Sequence, residues 1–313
     1  MQRTDELSRL WSIILAGGEG KRIGHLIEQW LGHHRPKQYC TFVGTRSMLQ
    51  HTLDRADQIT APDHKVTVIS RSHRQEALPQ LADRPGRVIL QPANRDTVAG
   101  IFLPLTYVRA RDPRATVVIY PSDHFVYPEE RFLEAVRQAI TVVQLLKERV
   151  LLLGIAPDEL ELDYGWMLPG PDLGYYGDHR LRAVSAFLEK PAPGAAQHAW
   201  NSGALWNTFV MVGQVETLWG LGWRCCPQIM QLLEGVQAVM GTEQEDTTLT
   251  SLYRNMPMRN FSLDLLQRMP SHVVSLEVTD VLWSDWGNGD RITKSLSKIG
   301  KQPAFPLAYA KAS

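Results

Sequence analysis

Three glycines and three cations near the amino terminus carry the first chemistry in this chain. Gly17, Gly18 and Gly20 follow the apolar run at residues 11–16, with Lys21 and Arg22 directly behind them. Pro36-Lys37 closes the same stretch. Glycine lets backbone N–H groups turn toward an anion, and cations neutralise it, so a buried strand ending this way is a device for holding phosphates. Far along the chain a second apolar run, residues 116–120, ends in Pro121-Ser122-Asp123-His124.

Two common glycine loops are excluded. A dinucleotide fingerprint needs a third glycine where Ile23 stands, and no acidic residue follows at the end of a second strand to hold a ribose. A Walker loop needs glycine where Leu15 stands and serine or threonine where Arg22 stands. The loop is a phosphate site of another kind.

The elements that must position these groups are legible from their periodicity. Apolar, β-branched strands are expected at 11–16, 65–70, 87–90, 116–120 and 150–155, alternating with helices at 48–59, 74–81, 97–111 and 129–148. Ser47 reads as the N-cap of the first of these helices, and Pro104 must kink the third. The alternation predicts an α/β fold with a mostly parallel central sheet. In such sheets ligands sit at the carboxyl ends of the strands, so the glycine loop and the Ser122-Asp123-His124 turn can face one cleft. The second half is less regular. Strands are expected at 182–189, 204–212, 272–278 and 280–283, and a helix over 215–239 interrupted near Pro227. Residues 241–250 read as a loop or the start of a capped helix, and 300–313 as a loosely held tail.

Composition narrows the function classes. At 313 residues, 44% hydrophobic and 21% charged, the chain has the make-up of an ordinary globular protein. Lysine plus arginine equal aspartate plus glutamate at 33 each, so net charge gives no reason to expect nucleic acid or a membrane surface as a partner. Cys40, Cys225 and Cys226 lack C-x-x-C spacing and read as inert thiols in a reducing compartment. No apolar stretch has the length of a signal peptide or a membrane span, and the expectation is a cytoplasmic protein.

The wording L-A-G-G-E-G-K-R at 15–22 with Pro36-Lys37-Gln38 resembles the signature pair of the sugar-1-phosphate nucleotidyltransferases. The resemblance runs in order through Gln91-Pro92-Ala93-Asn94-Arg95-Asp96-Thr97, Pro121-Ser122-Asp123-His124, Tyr164-Gly165-Trp166, Phe187-Leu188-Glu189-Lys190-Pro191, Trp200-Asn201-Ser202-Gly203 and Trp283-Ser284-Asp285-Trp286-Gly287. Its wording is nearest to the mannose-1-phosphate guanylyltransferases. The resemblance implies a Rossmann-like nucleotidyltransferase fold with a mixed, mostly parallel central sheet flanked by helices. It also implies a catalytic domain over 11–296 and a C-terminal tail over 297–313, with no β-helix or isomerase domain.

The implied reaction joins a nucleoside triphosphate, GTP in that subfamily, to a hexose-1-phosphate such as mannose-1-phosphate, releasing pyrophosphate and giving a nucleotide sugar such as GDP-mannose. By the same resemblance the nucleotide falls to Leu15, Ala16, Gly17, Gly18, Gly20, Arg95, Thr97 and Ser122, and the catalytic cations are Arg22, Lys37 and Lys190. Gly165, Glu189, Lys190 and Asn201 take the sugar phosphate, and Asp123 and Asp285 take a magnesium ion, Mg2+, as cofactor. The nucleoside triphosphate and the sugar-1-phosphate are the partners, and a homodimer is compatible with this reading. Two alternatives stand beside it: another base or sugar, or a non-catalytic homologue that binds a nucleotide sugar and regulates. The chain departs most from the family wording at residues 23–35, read here as a loop over the triphosphate.

Overall fold

The computed structural model describes residues 9–310. Four parallel strands open the sheet: β1 (Leu10–Ala16), β2 (Lys65–Ser70), β3 (Arg87–Gln91) and β4 (Thr116–Pro121), in the order β3-β2-β1-β4. The order continues through β9 (Leu205–Gln214), β6 (Val150–Ile155), β10 (Val273–Val278), β8 (His179–Glu189) and β7 (Gly165–Tyr176). Seven of the nine strands run one way; β9 and β8 run against their neighbours. β9 breaks the parallel run beside β4, which makes the sheet mixed while most strands stay co-directional.

Both faces of the sheet are covered. Side chains alternate across a strand, and β1 shows it: Ile13 packs into one apolar core and Ile14 into the other. The Ile13 face is covered by α4 (Asp96–Arg111), α7 (Val215–Cys225), α8 (Pro227–Gln237) and α9 (Glu245–Asn255). The Ile14 face is covered by α2 (Met48–Asp57), α3 (Arg74–Leu81) and α5 (Glu129–Leu145). Ser47 caps α2 as the sequence predicts, in a reciprocal box with Gln50. α4 continues as one helix through Pro104, so the expected kink does not divide it.

A second sheet has two antiparallel strands, β5 (Phe125–Tyr127) and β11 (Leu282–Ser284). It begins just after Asp123 and ends just before Asp285.

Several expectations are corrected. Residues 23–35 are not simply a loop: α1 (Gly24–Leu31) fills most of that segment. Ile23, Leu26 and Ile27 bury into a third core with Phe42, Trp286, Ile292, Leu296 and Phe305. The apolar spacing of these residues fits a helix, but short length and a glycine at each end hide it in the sequence. The tail is not loosely held. α10 (Gly289–Lys298) runs across the expected boundary at 296, the Ala304 amide donates to the Phe42 carbonyl at 2.8 Å, and α11 (Leu307–Ala310) follows. Residues 311–313 lie outside the described residues. β7 escapes periodicity because Pro169, Gly170 and Pro171 interrupt it, which a strand at the end of the order tolerates. Asn201, expected in a loop, is the last residue of α6 (Pro193–Asn201).

Candidate active site

The glycine loop leaves the carboxyl end of β1 and is tied from behind by the Pro36 segment. Gln38 donates its side-chain amide to the carbonyls of Ala16 at 3.0 Å and Gly18 at 2.8 Å, and the Tyr39 hydroxyl donates to Ala16 at 2.8 Å. The Leu15 carbonyl is taken by Ser122. With those carbonyls occupied, the amides of Gly17, Gly18 and Gly20 find no acceptor among the described residues. Gly20 has φ 61°, and a Cβ there would stand 3.0 Å from both the Cβ and the backbone nitrogen of Lys37. A Cβ on Gly17 would stand 2.8 Å from the Gln91 side-chain oxygen. At Gly20 the positive φ and the Lys37 backbone favour glycine independently of any ligand, whereas at Gly17 the neighbour is the movable end of the Gln91 side chain. Lys37 itself is only 3% exposed.

The two-stranded ribbon brings the carboxylates together. Phe125 pairs with Ser284, and one further step of that register sets Asp285 opposite His124. The Lys37 ammonium bridges the two turns. It meets Asp123 Oδ2 at 2.9 Å and also donates to the Asp285 backbone carbonyl. Arg22 reaches Asp285 Oδ2 at 2.6 Å. Arg22, Lys37, Asp123 and Asp285 come from four separate parts of the chain and form one charge cluster.

Electrostatics keeps both carboxylates ionised. Burial pushes the Asp285 carboxyl up, but Lys37, Arg22 and Arg291 together outweigh burial and hold it well below the usual range. Asp123 follows the same pattern: burial raises it, and Lys37 and His124 bring it below its ordinary value. Burial lowers His124 while Asp123 raises it, and its Nδ1 lies 3.0 Å from the Thr208 carbonyl.

Two ionised carboxylates at adjacent turns suit a hard divalent cation, which commonly uses one or two carboxylates and completes its shell with phosphate oxygens and water. Among the described residues no cluster of three or more metal-binding side chains is present.

Of the residues expected to take the sugar phosphate, Gly165, Glu189 and Lys190 stand together at the ends of β7 and β8. Gly165 pairs with Glu189 across β7 and β8. A Cβ on Gly165 would lie 3.0 Å from Glu189 Oε2 and 2.8 Å from the Phe187 ring, so the glycine makes room for the carboxylate. Burial raises the Glu189 carboxyl against a Ser262 hydrogen bond and the Lys190 charge. Lys190 is exposed and adopts φ 45°, a left-handed conformation uncommon for a side-chain-bearing residue. Its amide donates to the Tyr164 carbonyl at 3.1 Å. Asn201 is exposed and accepts from Gln197 at 3.1 Å.

Three expected nucleotide residues are struts in this structure. Ser122 is buried, and its amide and hydroxyl both donate to the Leu15 carbonyl, at 3.1 and 2.7 Å, which joins the ends of β4 and β1. Arg95 donates to the carbonyls of Tyr253 at 2.8 Å and Arg254 at 3.1 Å, closing the end of α9. The Thr97 hydroxyl accepts from the Phe261 amide at 2.7 Å.

One residue of the charge cluster had no herald in the sequence. Arg291, on the first turn of α10, donates to Asp285 Oδ1 at 2.9 Å, pairs with Glu161 and Asp163, and lies over the Tyr164 ring at 4.9 Å. The Tyr164 hydroxyl also reaches Asp285 Oδ1, at 3.0 Å. Asn288 caps α10 by accepting from the Arg291 amide, a signal the sequence did contain. Only the fold shows that the capped helix aims Arg291 back at Asp285.

Comparison with known proteins agrees with this architecture. The family model described as nucleotidyl transferase matches residues 11–302. A mannose-1-phosphate guanylyltransferase of Escherichia coli is 24% identical over 308 residues, covering 94% of this chain and 62% of that protein. The xanthan biosynthesis protein XanB of Xanthomonas campestris pv. campestris is 30% identical over 207 residues, covering 63% of this chain and 42% of its own. The chain therefore spans 42% to 62% of the length of these two relatives. In fold it is similar to the crystal structure of a mannose-1-phosphate geranyltransferase, as named there, from Thermus thermophilus. The TM-score is 0.78 at 24% identity, over 92% of this chain and 79% of the other.

Proposed function

This chain belongs to the nucleotidyl transferase family, and from that premise we propose that it transfers a nucleotidyl group from a nucleoside triphosphate to a hexose-1-phosphate. GTP and mannose-1-phosphate are the substrates we assign, and GDP-mannose and pyrophosphate the products. The names of the curated relatives support that choice. The observation that carries the reading is the single cluster of Arg22, Lys37, Asp123 and Asp285 beside a glycine loop whose amides are unengaged.

A sugar-phosphate oxygen forms a bond to the α-phosphorus of the triphosphate while the bond from that phosphorus to the bridging oxygen of pyrophosphate breaks. The attacking oxygen is already an anion near neutral pH, so the site needs no general base. The difficulty is charge: two polyanions meet, and more negative charge collects on the leaving group. Catalysis of this kind rests on positioning and neutralisation. In this assignment the amides of Gly17, Gly18 and Gly20 receive phosphate oxygens, and the Arg22 guanidinium receives the leaving pyrophosphate. Lys37, fixed by Asp123 and the Asp285 carbonyl, stands by the triphosphate as a buried cation. Lys190 aims the sugar phosphate, and Glu189 and Asn201 take sugar hydroxyls beside Gly165. Asp123 and Asp285 would hold magnesium, which supplies further charge neutralisation when bound. The three cysteines are free, and Cys40 and Cys226 are buried, which supports a reducing, cytoplasmic setting.

The test is pyrophosphate release over a matrix of nucleoside triphosphates and sugar-1-phosphates. GTP with mannose-1-phosphate is expected to give the highest kcat/KM. Asp285→Asn is expected to lower kcat at least ~100-fold per folded molecule, the usual scale for a transition-state electrostatic group. Nucleotide binding with no release from any pair refutes the reading.

A further inference from the structure

Asp285 holds its two oxygens in different ways. Oδ1 accepts from Arg291 at 2.9 Å, the Tyr164 hydroxyl at 3.0 Å and the Gly287 amide at 3.0 Å. Oδ2 accepts from Arg22, at 2.6 Å. The two guanidiniums also differ. Arg291 is 12% exposed, paired with Glu161 and Asp163, and seated on the Tyr164 ring. Arg22 is 49% exposed, and its other ion pair is with the half-exposed Asp163 at 3.4 Å. A Cβ on Gly287 would lie 2.8 Å from one arginine and 2.9 Å from the other, so the two like charges crowd together over this glycine. Their repulsion falls on the less anchored partner, Arg22. At the neighbouring turn Asp123 is likewise occupied by Lys37. Each carboxylate assigned to the cation thus rests on a cation assigned to the phosphates.

We propose that Arg22 is a placeholder: it fills the cation position at Asp285 Oδ2 and is exchanged for the metal as nucleotide phosphates arrive to take its guanidinium. Arg291 is the positioning residue that keeps Oδ1 engaged, so that Oδ2 is the oxygen that exchanges. The proposal rests on the reading of Asp285 as a metal ligand and Arg22 as a phosphate ligand. It has a thermodynamic consequence. Metal alone must displace Arg22 with no anion to receive it, and nucleotide alone must strip Asp285 of its counter-ion. Each ligand therefore binds more tightly in the presence of the other, by the same factor in both directions.

The test is Mn2+, a paramagnetic probe for a hard divalent cation, titrated onto the full chain without nucleotide, with free Mn2+ read by electron paramagnetic resonance. Arg22→Gln removes the competitor and is expected to tighten Mn2+ binding about tenfold, equal to about 1.4 kcal/mol. Arg22→Lys keeps the competing charge and is expected to stay within about threefold of the unsubstituted protein. Lys21→Gln makes the same charge change one residue away, at an exposed side chain, and is expected to shift binding less than about twofold. Arg22→Gln binding Mn2+ no more tightly than Lys21→Gln overturns the proposal, as does absence of Mn2+ binding in every variant. The titration contains no substrate. A chain that transfers no nucleotide can still pass it, and an active enzyme can still fail it, so the exchange and the proposed reaction stand or fall separately.

Discussion

Substituting alanine at Gly20 perturbs the site through the backbone alone. Gly20 sits at φ 61°, ψ 28°, where an L-residue bears a cost of roughly 1–2 kcal/mol. Its new Cβ would meet the Cβ and amide nitrogen of Lys37 at 3.0 Å. Lys37 cannot yield easily, because its ammonium is pinned between Asp123 and the Asp285 carbonyl and the next residue, Gln38, holds two loop carbonyls. Overpacking of this kind adds about 1–3 kcal/mol. Gly20→Ala is therefore expected to cost about 2–5 kcal/mol in urea unfolding and to lower Tm by about 5 °C or more. Gly18→Ala is the internal reference. Gly18 has no atom within 4 Å of its added Cβ and no positive φ, so its stability change is expected to stay within about 0.5 kcal/mol. Nucleotide affinity should divide the other way. Gly18→Ala is expected to weaken triphosphate binding in calorimetry about tenfold, because the methyl group stands where the proposed assignment brings phosphate oxygens to the amide. Equal stability of the two variants would refute the claim that the Pro36 segment and the glycine loop are one interlocked unit.

Two further outcomes test the walls of the site. Burial raises the Glu189 carboxyl, so the folded state binds its proton more tightly than the unfolded chain does. Stability from this group is complete below the unfolded value of about 4.3 and is lost as pH rises through the raised folded value. Glu189→Gln should thus raise Tm at pH 7 to 8, with the difference vanishing below about pH 4; a pH-independent difference would show that Glu189 carries no such shift. Arg95→Met should cost about 1–2 kcal/mol of stability by freeing the end of α9, while kcat changes less than about threefold. A selective loss of nucleotide affinity with unchanged stability would return Arg95 to the role its sequence motif implies.

Much of the fold could be read from residue type and spacing. The apolar, β-branched runs of β1, β2, β4 and β6 predict their strands closely, because a strand buried on both faces needs continuous apolar side chains. The glycine loop and the Asp123 turn were legible as strand-end devices for the same reason: polar residues that follow such runs emerge at the carboxyl ends of the strands, where ligands of such sheets bind. Where local signals conflicted with burial, the sequence misled. Proline and glycine hid β7, a helix too short to stand alone hid α1, and the flanking Pro303 and Pro306 hid the buried Phe305.

The state of the charges emerges only when the chain folds. Nothing in the order of residues says that Ser122, Arg95 and Thr97 spend their polar groups on neighbouring backbone, or that Arg291 and Tyr164 converge on one oxygen of Asp285. Residue type fixes what a side chain can donate or accept. Which partner it meets, and therefore whether it is free to meet a ligand, depends on distances between segments far apart in the chain, and these are set only when the cores close.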